Sequence, residues 1–330
     1  MSELNRRDFL ALAALPLVPQ ARLKPDAVQV EVTPDAALQR GQAAPAASRS
    51  SLRQGSGAQG GLQVCMHQAS SEGFDFRAAM EGYAKAGVRL VEPNLLKVRE
   101  FAQKQGGPAA AKRLLDDLGL RPASNSNQLF LMEPGETRLK SLEELKWKVE
   151  LIQAIGGDRL VTPSAGTGNY TEDDFKRGVD HMREAAEIAR PFGVTLMLEF
   201  ARTSRFAGSL ATALTLVRDT NHPNYRVMMD TYHFWGGISK FEDLELLRAG
   251  ELHHLHFEDV PASPFRELQG QPHRVFPGEG IAPLRRIIEV LKAKKYTGAV
   301  SFETFNPQIQ KTDPYEVAMR ARKAIEPLIT

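Results

Sequence analysis

Eight times between residues 62 and 303 the sequence sets down a short run of β-branched and other apolar residues, then a polar loop, then apolar residues spaced three and four apart. The strand-like runs are LQVCMH (62–67), VRLVEP (88–93), RPASN (121–125), RLVT (159–162), TLMLEF (195–200), YRVMMD (225–230), LHHLHF (252–257) and GAVSFE (298–303). The clearest helical patterns fall at 75–86, 141–155, 172–190, 283–293 and 314–328. Ser141, ahead of Glu143 and Glu144, reads as a helix start, while Gly87, Gly119, Gly156 and Gly193 read as helix ends before the next strand. No arrangement that joins its strands by tight hairpins fits this alternation, because the connection between strands is each time long enough to hold a helix.

Strands joined by helical crossovers lie parallel, and eight such units in about 270 residues match the usual ~250 residues of a closed (β/α)8 TIM barrel, folded as a single domain. A doubly wound open sheet is the competing arrangement. It expects a glycine-rich loop after the first strand, whereas MHQASSEG holds one glycine. The third strand is the weakest, since Pro122 and the polar SNSNQ follow only Leu118 and Leu120. With 42 Lys+Arg against 40 Asp+Glu the formal charge is +2, which leaves no cationic excess to bind nucleic acid. The single cysteine, Cys65, permits no intramolecular disulfide and no cysteine-rich zinc site, so any metal must be held by His, Asp and Glu.

The chain before residue 62 reads differently. Residues 5–21, NRRDFLALAALPLVPQA, join a paired Arg6-Arg7 to a brief apolar run and a small residue near Ala21, the pattern of an export signal of the twin-arginine type. The run is too short for stable membrane insertion, which takes about 20 apolar residues. Residues 22–61 are low-complexity sequence with no sustained apolar period and read as a linker, apart from the isolated strand-like VQVEV at 28–32. The expected organisation is therefore a signal peptide at 1–21, a linker at 22–61 and a barrel at 62–330, in a protein destined for the periplasm or another compartment outside the cytoplasm.

In a barrel of this kind the chemistry gathers at the C-terminal ends of the strands. Strand five ends at Glu199 and strand six at Asp230, strand seven carries His254 and His256, and strand eight ends at Glu303. Each donor directly follows apolar residues that would bury it, and a buried carboxylate without a partner costs several kcal/mol. One shared divalent cation answers all four problems, and a site of three carboxylates and one imidazole suits Mn2+, Mg2+ or Co2+ better than structural zinc. His233, three residues past Asp230, is placed to point into the same cavity, and Arg274 in HRVFPGEG would set a guanidinium at its edge. His67, Glu92 and Asn94 rate lower, with structural or solvent roles ahead of pocket roles, and His254 is either a support to His256 or barrel packing. Trp147 reads as core, and Phe234-Trp235 as an apolar pocket wall or helix packing.

Taken in order, LEF (198–200), DTYH (230–233), HLHFED (254–259), R-x-x-PGEG (274–280) and SFE (301–303) resemble the xylose isomerase-like barrels, which include sugar phosphate isomerases and epimerases, inosose dehydratases and endonuclease IV. The resemblance implies that Glu199, Asp230, His256 and Glu303 bind one divalent metal ion, and that His233 and Arg274 contact substrate oxygens. It also implies catalysis by Glu199 and Glu303 as base and acid, through proton abstraction next to a carbonyl and a metal-stabilised enediolate. Isomerisation, epimerisation and elimination share that first step, so a lyase acting on a keto-inositol or 3-keto-glycoside is the alternative to an isomerase or epimerase. A barrel that binds sugar without catalysis is the reading of another class.

Departures from the family narrow the choice. PASNSNQ has no histidine for a three-metal phosphodiesterase, and no lysine motif matches the two-metal xylose isomerases. Eighteen positions separate His256 from Arg274, and the intervening VPASPFRELQGQP is a lid-like insertion in which Arg266 competes with Arg274 for the substrate. Sugar phosphates are intracellular, so export favours a free sugar, an inositol derivative or a glycoside. The expected partner is thus a small carbohydrate, not nucleic acid, and a homo-oligomer is allowed.

Overall fold

The computed structural model describes residues 61–126, 129–133 and 135–330. The expected signal at 1–21, the VQVEV segment and the expected linker up to residue 60 lie outside the described residues. From there the elements run β1 Leu62–His67, α1 Phe76–Lys85, β2 Leu90–Glu92, α2 Leu95–Gln105, α3 Pro108–Asp117, β3 Arg121–Pro122, α4 Glu136–Ala154, β4 Arg159–Pro163, α5 Glu172–Ala189, β5 Thr195–Glu199, α6 Leu210–Thr220, β6 Tyr225–Asp230, α7 Thr231–Gly236, β7 Leu252–His256, α8 Leu284–Ala293, β8 Gly298–Phe302 and α9 Pro314–Ile329. The strands form one parallel sheet in the order β3-β2-β1-β8-β7-β6-β5-β4, curled as a (β/α)8 barrel.

Among the described residues no ladder joins β3 to β4, and the barrel closes there through one residue. Asn125 accepts the Val161 backbone N–H on its own carbonyl at 3.0 Å, and its side-chain Nδ2 donates to the Arg159 carbonyl, also at 3.0 Å. The expected third strand is cut to two residues: Arg121 and Ala123 give their N–H groups to the carbonyls of Arg89 and Val91, and Pro122 has none to give on the side of β4.

Strand alternation explains both the core and the mouth. Outward residues such as Val91, Leu196, Leu198, Val227, Met229, Leu255 and Val300 pack under the helices in the main apolar core. The inward set fills the barrel, with Cys65, Leu90 and Ala299 in one cluster and Val161, Met197 and Met228 in another. Two residues further along each strand, the next inward side chain reaches the C-terminal mouth: His67 after Cys65, Glu92 after Leu90, Glu199 after Met197, Asp230 after Met228.

The helices depart from the sequence expectation in two ways. Helix α4 starts at Glu136, so Ser141 does not cap it; Ser141 lies inside the helix and its Oγ accepts the Phe130 N–H of the preceding loop at 3.1 Å. Helices α2, α3, α6 and α7 go beyond the five patterns read from sequence. Gly106, Gly107 and Pro108 cut the first two into ten- and eleven-residue pieces, and α7 is only six residues, too short to display a period. The glycines read as helix ends do take left-handed backbone, φ 80° at Gly87 and 84° at Gly156.

Candidate metal centre

Glu199, Asp230, His256 and Glu303 each offer a ligand atom, and these four atoms lie within 4.8 Å of one another. All four residues are buried at the mouth of β5 to β8. His256 turns Nδ1 to the carboxylates, 3.0 Å from Glu199, 3.3 Å from Glu303 and 3.8 Å from Asp230. Asp230 divides its oxygens: Oδ1 accepts the His233 N–H at 2.7 Å and caps α7, while Oδ2 has no donor aligned on it and has Arg274 Nη1 2.8 Å away. Three carboxylates and one imidazole that converge out of water fit a divalent cation, which would be held by Glu199, Asp230, His256 and Glu303.

Behind this set stand residues that orient it. His256 Nε2 faces Glu92 at 3.2 Å, and Glu92 also takes His254 Nε2 at 2.8 Å. Asn94 caps α2 with its side chain, while Glu92 and His67 are buried against the donor set. His67 accepts the Ala69 N–H on Nδ1, so the neutral ring carries its hydrogen on Nε2, 3.2 Å from Glu303. A carboxylate behind a ligating imidazole fixes ring orientation and raises its basicity. His254 faces the barrel interior as its spacing from His256 requires, and is tied to Glu92.

The two carboxylates read as acid and base sit in opposite surroundings. Burial raises Glu199 to about 7, offset only in part by His256. Burial pushes Glu303 the same way, but His256, His67 and Arg274 overcome it and hold its carboxyl well below the usual range. Burial also works against a charged His256, yet Glu303, Glu92 and Glu199 together lift it well above an ordinary histidine. Glu258, which the sequence reading passed over, is buried and raised well above the carboxylate range by burial and by Asp230. It accepts the Tyr232 N–H at 3.0 Å and so anchors the start of α7.

His233 and Arg274 meet at the same mouth. Arg274 donates Nη1 to Glu303 at 2.6 Å, and its guanidinium lies between the Tyr232 and Phe305 rings, 5.2 and 5.1 Å from their centroids. Burial lowers His233 to about 4, which keeps the ring neutral. Arg266 does not compete for this position: it is exposed on the insertion, over the half-buried Trp235. Phe234 is buried in the core and Trp147 packs against its edge. The Pro-Gly-Glu-Gly turn is held by Asp259, whose oxygens accept the N–H groups of Gly278 and Ala282, both at 2.9 Å. Gly280 is required there, because a Cβ would collide with the Val260 carbonyl and with Asp259.

A family model described as a xylose isomerase-like TIM barrel matches residues 80–326. An inosose isomerase of Halalkalibacterium halodurans is 26% identical over 256 residues, 71% of this chain and 90% of that protein. An L-ribulose 3-epimerase of Mesorhizobium japonicum is 27% identical over 267 residues, 76% of this chain and 82% of that protein. Among solved structures, an IolI protein with a bound zinc atom superposes with a TM-score of 0.74 at 23% identity, over 81% of this chain and 97% of that one, a likeness of fold.

Proposed function

The chain belongs to the xylose isomerase-like TIM barrel family, and from that premise we propose that it is a divalent-metal-dependent isomerase or epimerase of a free sugar or sugar derivative. The observation that carries this reading is the convergence of Glu199, Asp230, His256 and Glu303 within 4.8 Å, on the ends of four successive strands. A divalent cation bound there supplies the positive charge that a proton abstraction next to a carbonyl needs. The oxygen-rich donor set favours Mn2+, Mg2+ or Co2+ over Zn2+.

The residues divide the remaining work. Glu199, which a bound cation would keep ionised, takes the proton as the base, and Glu303 is held ionised by its cationic neighbours. Glu303 serves as the opposite carboxylate, with Arg274 Nη1 against it at 2.6 Å. His233 and Arg274 are positioned to bind substrate oxygens beside the abstracted proton. Release of a leaving group from the same carbanion would make the enzyme a lyase, and the named inosose isomerase and ribulose epimerase relatives favour proton return.

Exchange of solvent deuterium into a panel of free ketoses and keto-inositols, with metal-loaded protein, tests the proposal. Exchange that depends on added cation and is lost in Glu199→Gln is the expected result; no exchange and no cation binding would leave a sugar-binding barrel. We further propose that residues 5–21 export the folded barrel, which a reporter fused after residue 61 tests by its compartment with and without Arg6→Lys and Arg7→Lys.

A further inference from the structure

The insertion at residues 260–272 ends in a short turn at Gln271–His273, and its attachments hold that turn over the mouth. Gln269 Nε2 donates to the carbonyls of Pro261 at 2.7 Å and Pro264 at 2.8 Å, which closes the insertion on itself. Tyr232 Oη donates to Gly270 at 2.8 Å, and Asp259 pairs with Val275 at the base. The turn delivers the carboxamide of Gln271, whose Oε1 accepts Arg274 Nε at 2.7 Å. Its Nε2 is then left 3.4 Å from His233 Nε2.

That contact is not a hydrogen bond. His233 Nδ1 accepts the Arg202 backbone N–H at 3.2 Å, so the neutral ring carries its hydrogen on Nε2. Arg274 Nη2, also a donor, stands 3.3 Å from the same nitrogen. Three N–H donors, from Gln271, His233 and Arg274, therefore converge with no acceptor among them. His233 and Arg274 are buried, with 4% and 1% of their surface exposed, so the set is desolvated on one side and opens on the other through exposed Gln271. Donors that converge without an acceptor are stabilised by one from outside, and a set of three suits an oxygen that bears lone pairs and no proton.

We infer that Gln271 is a substrate-binding residue, supplied by the insertion, which completes with His233 and Arg274 a three-donor pocket for a carbonyl oxygen as it becomes an enediolate. This rests on the isomerase reading above and adds to it the state of the oxygen that is recognised. A ligand whose oxygen carries a proton, such as a polyol, offers the pocket less than a ketone or an oxyanion does.

Calorimetric titration of the cation-loaded full-length protein with a small hydroxamate, whose paired oxygens imitate an enediolate, provides the test. Gln271→Ala should bind the hydroxamate about tenfold more weakly than wild type, and Gln271→Glu, which keeps the shape but turns a donor into an acceptor, at least as weakly. Cation affinity and melting temperature should not change in either variant. Hydroxamate affinity within twofold of wild type in both variants would overturn the inference, as would no hydroxamate binding by wild type. An equal loss of cation affinity would also overturn it, since Gln271 would then act on the carboxylates through Arg274. Gln271-dependent hydroxamate binding in a protein that exchanges no substrate proton would support the pocket and defeat the isomerase reading alone.

Discussion

Strands β5 to β8 and strands β1 to β3 use the same inward alternation to different ends. The first group runs five or six residues each, every strand paired with its neighbours up to the mouth, and the four cation donors stand at its ends. The second includes strands of three and two residues and contributes His67 and Glu92, which touch the donors from behind. The difference has a physical ground. Four ligand atoms must meet within a few tenths of an ångström, and pairing at the strand ends themselves, Asp230 with His256 and His256 with Ser301, fixes neighbours that tightly. A support acts on a donor already placed, and so Glu92 can stand on a strand of three residues, although His67 ends the six-residue β1.

Removing a donor should therefore cost far more than removing a support. Glu199→Gln is expected to lower substrate proton exchange by about 10³-fold or more, measured by deuterium incorporation under cation saturation, because the base itself is lost. Glu92→Gln should leave exchange at saturating cation nearly intact but weaken cation affinity about 10- to 100-fold, measured by calorimetry; unchanged affinity would dissolve the distinction between the halves. The pH dependence probes the donor half alone. Glu199 sits near 7 and His256 above its ordinary value, so the cation displaces protons from both, and affinity should climb with pH by up to about a hundredfold per unit below 7, where both are protonated, and by up to about tenfold per unit just above it, where only His256 still is. Titrations in buffers of different ionisation enthalpy would report the released protons directly. The smallest effect belongs to the seam: Asn125→Ala strips the Arg159 carbonyl of its donor and should destabilise the fold by about 1–3 kcal/mol in denaturant titration. Cation affinity should be unaffected.

The donor half was legible because each of Glu199, Asp230 and Glu303 interrupts an apolar run at its last residue, a break that sequence displays. Glu92 and His67 carry the same signal in weaker form. Each stands two residues after an inward-facing apolar residue, Leu90 and Cys65, and applying the strand period to every run would have raised both. Glu258 escaped because its partners, Tyr232 and Thr231, belong to a different crossover. The start of α4 was misplaced because Ser141 has cap chemistry, and only the path of the loop at Phe130 decides what its hydroxyl bonds. Gln271 was beyond reach of any period: its position follows from the closure of the insertion by Gln269.

The clasp at Asn125 also says where this molecule opens first. Seven of its strand pairs are zipped along their backbones, and the eighth is buttoned by one residue. Fraying should begin at that button, so the Val161 amide should trade its hydrogen for solvent deuterium sooner than the amides between β5 and β8. Because β4 lies next to β5 but contributes none of the four donors, the barrel can breathe at its seam with its grip on a cation intact.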